Sequence, residues 1–145
     1  KHLPEKEIII HDGGCIVHWK FTADEVKRAK EAHPDALVIS HPECNPDVLE
    51  VSDEIASTSG MIKIAKASPA KKFIIGTEEG HLHRLKKERP DAEFFSIGSA
   101  KICVNMKKTR LEDVYRALET GKHEITLDKD TIEKARLPIE RMVSL

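Results

Sequence analysis

The stretch Ala36-Leu37-Val38-Ile39-Ser40-His41-Pro42-Glu43-Cys44 sets an apolar run directly before a cluster of reactive side chains. Four apolar residues bounded by turn signals suit a strand buried on both faces. The order recurs along the chain. Gly13-Gly14-Cys15-Ile16-Val17-His18 follows Ile8-Ile9-Ile10, Gly76-Thr77-Glu78 follows Phe73-Ile74-Ile75, and Cys103-Val104-Asn105-Met106-Lys107 follows Phe94-Phe95-Ser96-Ile97. In open parallel sheets the ligand crevice lies outside the carboxyl ends of the strands, so this placement points to one site assembled from several loops.

Outward from that stretch, strand and helix signals alternate. Thr22-Ala23-Asp24-Glu25 reads as a capping box opening a helix that stops before Pro34. Pro46 through Glu54 reads as a short helix, and Ser57-Thr58-Ser59-Gly60 introduces another from about Met61 to Ala67, ended by Pro69. Phe73 to Ile75 is a strand, Glu79 to Glu88 a helix with a charge-rich, solvated face, Phe94 to Ile97 a strand, and Leu111 to Glu119 a helix closed by Gly121. A short strand, Ile125 to Leu127, then leads through Asp128 or Asp130 as a cap to a helix around Pro138 to Val143. Such alternation implies an α/β layer architecture with a parallel sheet.

Composition limits the function. The 145 residues suit one ordinary domain, and 24 basic against 25 acidic residues leave a net charge of -1. With only six Phe, Tyr and Trp residues, the chain has neither the basic footprint nor the stacking platform that nucleic-acid binding calls for. No apolar run approaches membrane-spanning length, and no charged-then-apolar leader opens the chain. Three cysteines among many lysines and glutamates favour a reducing compartment over a disulfide framework, and a cytoplasmic location is expected.

Two internal echoes are present. His33-Pro34-Asp35-Ala36 returns as Arg89-Pro90-Asp91-Ala92, each time between a helix end and a strand. A longer echo, offset by the 88 residues from Cys15 to Cys103, also aligns Lys20 with Lys108, Val26 with Val114, Arg28 with Arg116, Ala29 with Ala117 and Glu31 with Glu119. It lays Leu37 to Ile39 on Ile125 to Leu127. We read it as a domain-sized repeat in which each copy begins with a Cys loop, and a further Cys is expected upstream.

Thiolates from separate loops at one crevice could hold three irons of a [4Fe-4S] cluster and leave the fourth open. Widely spaced cysteines are equally compatible with buried structural thiols. The repeat favours Cys15 and Cys103 as ligands and leaves Cys44 outside the pattern.

Gly13-x-Cys15-x-x-His18, His41-Pro42-Glu43, Ser57-Thr58-Ser59-Gly60, Gly76-Thr77-Glu78 and Cys103-x-Asn105-Met106-Lys107, in this order, resemble the quinolinate synthase family. The resemblance runs on through Ala135-Arg136-Leu137-Pro138-Ile139-Glu140-Arg141-Met142 and corresponds to roughly the C-terminal half of the enzyme. It implies three αβα domains around a pseudo-threefold axis, of which this chain holds about one and a half. Residues 1–18 would end a preceding domain with the first Cys loop. Residues 19–102 would form a complete domain, and residues 103–145 would complete the N-terminal domain of the full enzyme.

The resemblance implies condensation of iminoaspartate, supplied by aspartate oxidase, with dihydroxyacetone phosphate to quinolinate in NAD biosynthesis, at a [4Fe-4S] cluster. It implies Cys15 and Cys103 as two cluster ligands, a third Cys upstream, and Cys44 as a non-ligand. Glu43 and His41 are implied as catalytic residues, and His41, Ser57, Thr58 and His18 as substrate contacts. Glu43 would shuttle protons if a closed pocket surrounds it. This segment alone is expected to be inactive. Two other classes stay open: a non-catalytic α/β metabolite-binding domain, and a zinc-dependent lyase or hydrolase using Cys15, His18 and Glu43. His81 and His83, two apart on a helix, do not share a face and argue against a zinc pair.

Overall fold

The computed structural model describes Glu5, residues 7–9 and residues 13–144. It divides into two compact units, Lys1–Cys103 and Val104–Leu145.

The first unit begins with a 3-10 turn, His18–Lys20, followed by α1 (Ala23–Ala32), β1 (Leu37–Ser40), α2 (Pro46–Glu50), β2 (Glu54–Ile55), α3 (Thr58–Ala67), β3 (Lys72–Gly76), α4 (Gly80–Glu88) and β4 (Glu93–Ser96). The four strands form one parallel sheet in the order β2-β1-β3-β4. Side chains alternate across a strand, so neighbouring apolar residues feed two different cores. Val38 and Ile74 pack with Phe21, Val26 and Val48 beneath α1 and α2, whereas Ile39, Phe73 and Ile75 pack with Met61, Ala65 and Leu85 beneath α3 and α4. The result is a three-layer αβα domain, as the alternation of the sequence requires. β1 leads to α2 on one face and its neighbour β3 leads to α4 on the other, so the topological switch point lies between the carboxyl ends of β1 and β3.

Thr22 caps α1 as expected. Its Oγ1 accepts from Glu25 N-H at 3.3 Å, and Glu25 Oε2 accepts from Thr22 N-H at 3.1 Å. The two proline echoes form the same turn. His33 and Arg89 adopt φ/ψ of -137/72 and -140/69, each closing its helix with an N-H donated to the carbonyl four residues back.

One strand escaped the sequence reading. The helix expected to reach Glu54 stops at Glu50, because Asp53 is drawn to the edge of β1. Its N-H donates to the Val38 carbonyl at 3.1 Å and its Oδ2 accepts from Val38 N-H at 2.8 Å. Those two bonds seat Glu54–Ile55 as an edge strand. The charge-rich α4 turns one side to the core through Leu85, which is fully buried. Ile8 and Ile9 are exposed and form no strand, and Ile10 lies outside the described residues.

The second unit holds a 3-10 turn, Met106–Lys108, then α5 (Leu111–Thr120) and α6 (Lys129–Val143). Ile125 to Leu127, expected as a strand, forms none, and Ile125 and Leu127 are 88% and 60% exposed. A strand exists only by pairing, and no ladder partner for this segment is found among the described residues. α6 starts nine residues before Pro138, with Asp128 as its cap: Oδ1 accepts from Thr131 N-H at 2.9 Å. Pro138 sits inside the helix, where the carbonyl of Lys134 loses its usual donor.

The turn and the first helix of the 88-residue repeat are kept in the backbone, whereas its strand is not. Turn His18–Lys20 and helix Ala23–Ala32 map onto turn Met106–Lys108 and helix Leu111–Thr120 without a shift. Val17 and Asn105 enter the turns at φ/ψ of -73/-49 and -72/-42. At the third helical position, Asp113 Oδ2 accepts from Arg110 N-H at 2.9 Å, the counterpart of Glu25 reaching back to Thr22. Gly121 then ends α5 in the left-handed region, φ 62, where glycine carries no side-chain penalty.

Candidate functional site

The reactive residues sit at the switch point. His41 and Thr77 directly follow β1 and β3, and His41 N-H donates to the Gly76 carbonyl at 3.0 Å, joining the two strand ends. The Cys15 loop reaches the same place because Val17 and Phe21, 2% and 0% exposed, anchor it in the core on either side of the His18 turn. Gly14 allows the loop to close, since a Cβ there would meet the Trp19 ring at 2.4 Å. Trp19 N-H donates to the Cys15 carbonyl at 3.1 Å.

His18 is the hub. Its Nδ1 lies 2.9 Å from Glu43 Oε2 and its Nε2 lies 2.9 Å from Thr77 Oγ1. The His41 ring stacks on it at 4.1 Å between centroids, with 5° between planes. Glu43 N-H donates to His41 Nδ1 at 3.3 Å, which sets that nitrogen as an acceptor. Burial lowers the His41 pKa below the ordinary imidazole range, helped by the adjacent His18 and opposed by Glu43, so His41 is held neutral. Cys15, His18 and Glu43 each offer one donor atom, and these atoms lie within 4.8 Å of one another. Sulfur, imidazole nitrogen and carboxylate oxygen in one cluster is a donor set for a borderline or soft metal.

Other expected site residues have different surroundings. Cys103 is half-buried, and its N-H donates to Glu78 Oε1 at 3.3 Å. Cys44 is a core side chain packed with Val38 and Ile74, and burial pushes its thiol up to about 11. Ser57 and Thr58 are exposed at the start of α3, where Ser57 Oγ accepts from Gly60 N-H at 3.3 Å. The closed pocket expected around Glu43 is not formed by the described residues, which leave its side chain 48% exposed.

Three residues with a place here were not foreseen. Thr77 and Glu78 were visible only as part of a strand-end motif, and their partners come from 59 and 25 residues away. His81 was judged only against His83. It in fact lies against the Thr58 backbone and near His41, while its Nε2 is buried without a hydrogen-bond partner among the described residues. Burial lowers its pKa too. Its spacing from His83 carried no hint of this, because the contact crosses from α4 to α3.

Comparison with known proteins gives this arrangement a family. Residues 1–144 match the family described as Quinolinate synthetase A protein. Quinolinate synthase of Thermodesulfovibrio yellowstonii is 49% identical over all 145 residues, which cover 48% of that protein. That of Methanoregula boonei is 48% identical over 141 residues, 97% of this chain and 47% of its own length. That of Caldicellulosiruptor saccharolyticus is 46% identical over 145 residues, 48% of its length. The chain spans about half the length of the curated relatives it matches. With a match that runs from the Cys15 loop through the strand-end motifs to α6, the chain belongs to the quinolinate synthetase A family of enzymes.

Proposed function

We propose that the protein containing this chain is a quinolinate synthase of NAD biosynthesis, condensing iminoaspartate with dihydroxyacetone phosphate, with aspartate oxidase as the source of iminoaspartate. The reading is carried by one observation: Cys15, His18 and Glu43 converge within 4.8 Å at the switch point of a chain in this family. A cytoplasmic setting suits three free cysteines and a metabolic reaction.

The cofactor proposed is a [4Fe-4S] cluster, which thiolates suit as ligands. Cys15 and Cys103 are half-buried on loops of matching backbone and are proposed as two ligands, with a third Cys outside this chain. Cys44, whose thiol holds its proton to about 11, is a poor thiolate and is proposed as a core residue only. When bound, the cluster supplies an open iron as Lewis acid for substrate oxygens.

The chain's own residues do the rest. Glu43 is proposed to take and return protons, a role supported by its hydrogen bond to His18 and its half-exposed carboxylate. Neutral His41, with Nδ1 accepting from the backbone, has Nε2-H left to donate to a substrate oxygen. Ser57 and Thr58, at the positive end of α3, suit a substrate carboxylate. Residues 103–145 are proposed to complete a domain with segments of the longer protein, since α5 exposes Leu111, Val114, Tyr115 and Leu118 along one helical stripe.

Anaerobic purification of the full-length protein tests the reading. A brown protein with broad visible absorbance that forms quinolinate supports it. The Cys15, His18 and Glu43 set also supports a second reading, a zinc lyase or hydrolase, for which the protein would be colourless with one zinc per chain.

A further inference from the structure

An ion pair that the chemistry above leaves unused ties down the loop that carries Cys103. Lys101, two residues before Cys103, is 8% exposed, although a lysine is rarely buried unless it is paired. Its Nζ lies 2.8 Å from Glu25 Oε1 on α1. The same ammonium sits 5.4 Å from the centroid of the Phe21 ring, within cation-π range. Phe21 is fully buried, and its N-H donates to the His18 carbonyl at 3.3 Å, which closes the turn of the Cys15 loop. One buried cation thus meets both the first turn of α1 and the anchor of the other cysteine loop. The peptide groups beside it hold the same place: Glu79 N-H donates to the Lys101 carbonyl at 3.1 Å, and Cys103 N-H donates to Glu78 Oε1 at 3.3 Å.

A buried ion pair is a poor source of stability, because desolvating two charges offsets most of their attraction, and its best-attested use is to fix register. Apolar contacts slide at little cost, whereas an ammonium that leaves this carboxylate leaves two desolvated charges unpaired. We propose that Lys101 and Glu25 are positioning residues that set the register of the Cys103 loop against the Cys15 loop, so that the two thiols reach a cofactor at a fixed spacing. The register stands on the ion pair and the Phe21 contact alone. Its consequence for iron rests on the function proposed above.

The test uses the full-length protein. The double variant Glu25→Gln with Lys101→Met removes both charges together, keeps the side-chain lengths close, and leaves at position 25 an amide that can still accept from Thr22 N-H. No charge is left unpaired, so the urea midpoint should stay near that of wild type. Hydrogen exchange at the Glu79 and Cys103 amides should nevertheless quicken about 10-fold, and iron should be lost in air about 10-fold faster. Thr22→Ala supplies the contrast: it removes the cap hydroxyl and keeps the pair, so it should lower the urea midpoint and leave exchange at Cys103 as in wild type. Wild-type exchange at both amides of the double variant overturns the proposal. So does a lowered midpoint with faster exchange throughout the first unit, which would make the pair a plain structural brace. Faster exchange at the two amides with iron held as in wild type overturns the link to the cofactor. If the wild-type protein binds no iron, the proposed function fails on its own, and exchange at Cys103 in the iron-free protein still decides the register.

Discussion

Lys101 and Glu25, 76 residues apart, meet with Nζ 2.8 Å from Oε1, and their side chains are 9% and 16% exposed. The ammonium also lies 5.4 Å from the centroid of the Phe21 ring and 3.1 Å from Ser99 Oγ. Glu25 thus has two tasks: one carboxylate oxygen closes the α1 capping box and the other fastens the loop that carries Cys103.

Breaking that pair by Lys101→Met should destabilise the fold by roughly 3 kcal/mol, because it leaves a carboxylate largely desolvated without its counter-charge. Glu25→Ala should cost more, since the cap is lost as well. Urea denaturation of both variants checks the order. Equal stability of Lys101→Met and wild type would show that the loop is held by backbone bonds alone.

The Cys44 thiol makes a pH-dependent contribution whose sign is fixed. Its pKa rises from the ordinary 9.0 to about 11 on folding, so the folded state holds the proton more tightly. The contribution is complete below pH 9 and is lost as pH rises toward 11. At pH 8, iodoacetamide should label Cys15 and Cys103 of the iron-free protein, both half-buried, well before Cys44. Mass spectrometry of a labelling time course checks this, and early modification of Cys44 would contradict its place in the core.

Pro138→Ala should stabilise α6, since it restores a donor for the Lys134 carbonyl and removes a residue that costs about 3 kcal/mol in a helix interior. Circular dichroism at 222 nm should deepen and amide exchange around Lys134 should slow. An unchanged signal would mean that α6 does not run through Pro138.

The upstream sequence should contain a third Cys loop. Because turn and helix recur at an offset of 88 without a shift, a Cys is expected about one such period before Cys15, with a helix start eight residues after it, as at Cys15 and Cys103. Reading the upstream residues settles the point. Absence of any Cys in that region would leave the repeat at two copies.

What the sequence disclosed and what it withheld differ in range. The buried strands were legible from Leu37-Val38-Ile39 and Phe73-Ile74-Ile75, and the cap of α1 from Thr22 and Glu25, because each is decided within a few residues. β2 was not, since Glu54–Ile55 is a strand only through Asp53 bonding to Val38, 15 residues away. Ile125 to Leu127 shows the reverse, with strand-like composition and no partner among the described residues. At the site, Cys15, His18, His41 and Glu43 stood out by residue type and position. The supporting Thr77, Glu78 and His81 did not, because their contacts cross between strand ends and helices.

Iron and acid-labile sulfide counted per full-length chain after anaerobic purification, for wild type and the three single Cys→Ser variants, test the ligand assignment most directly. Cys15→Ser and Cys103→Ser should each lose most of their iron and the visible absorbance, while Cys44→Ser should retain both. Full iron in either of the first two, or its loss in Cys44→Ser, would contradict the account.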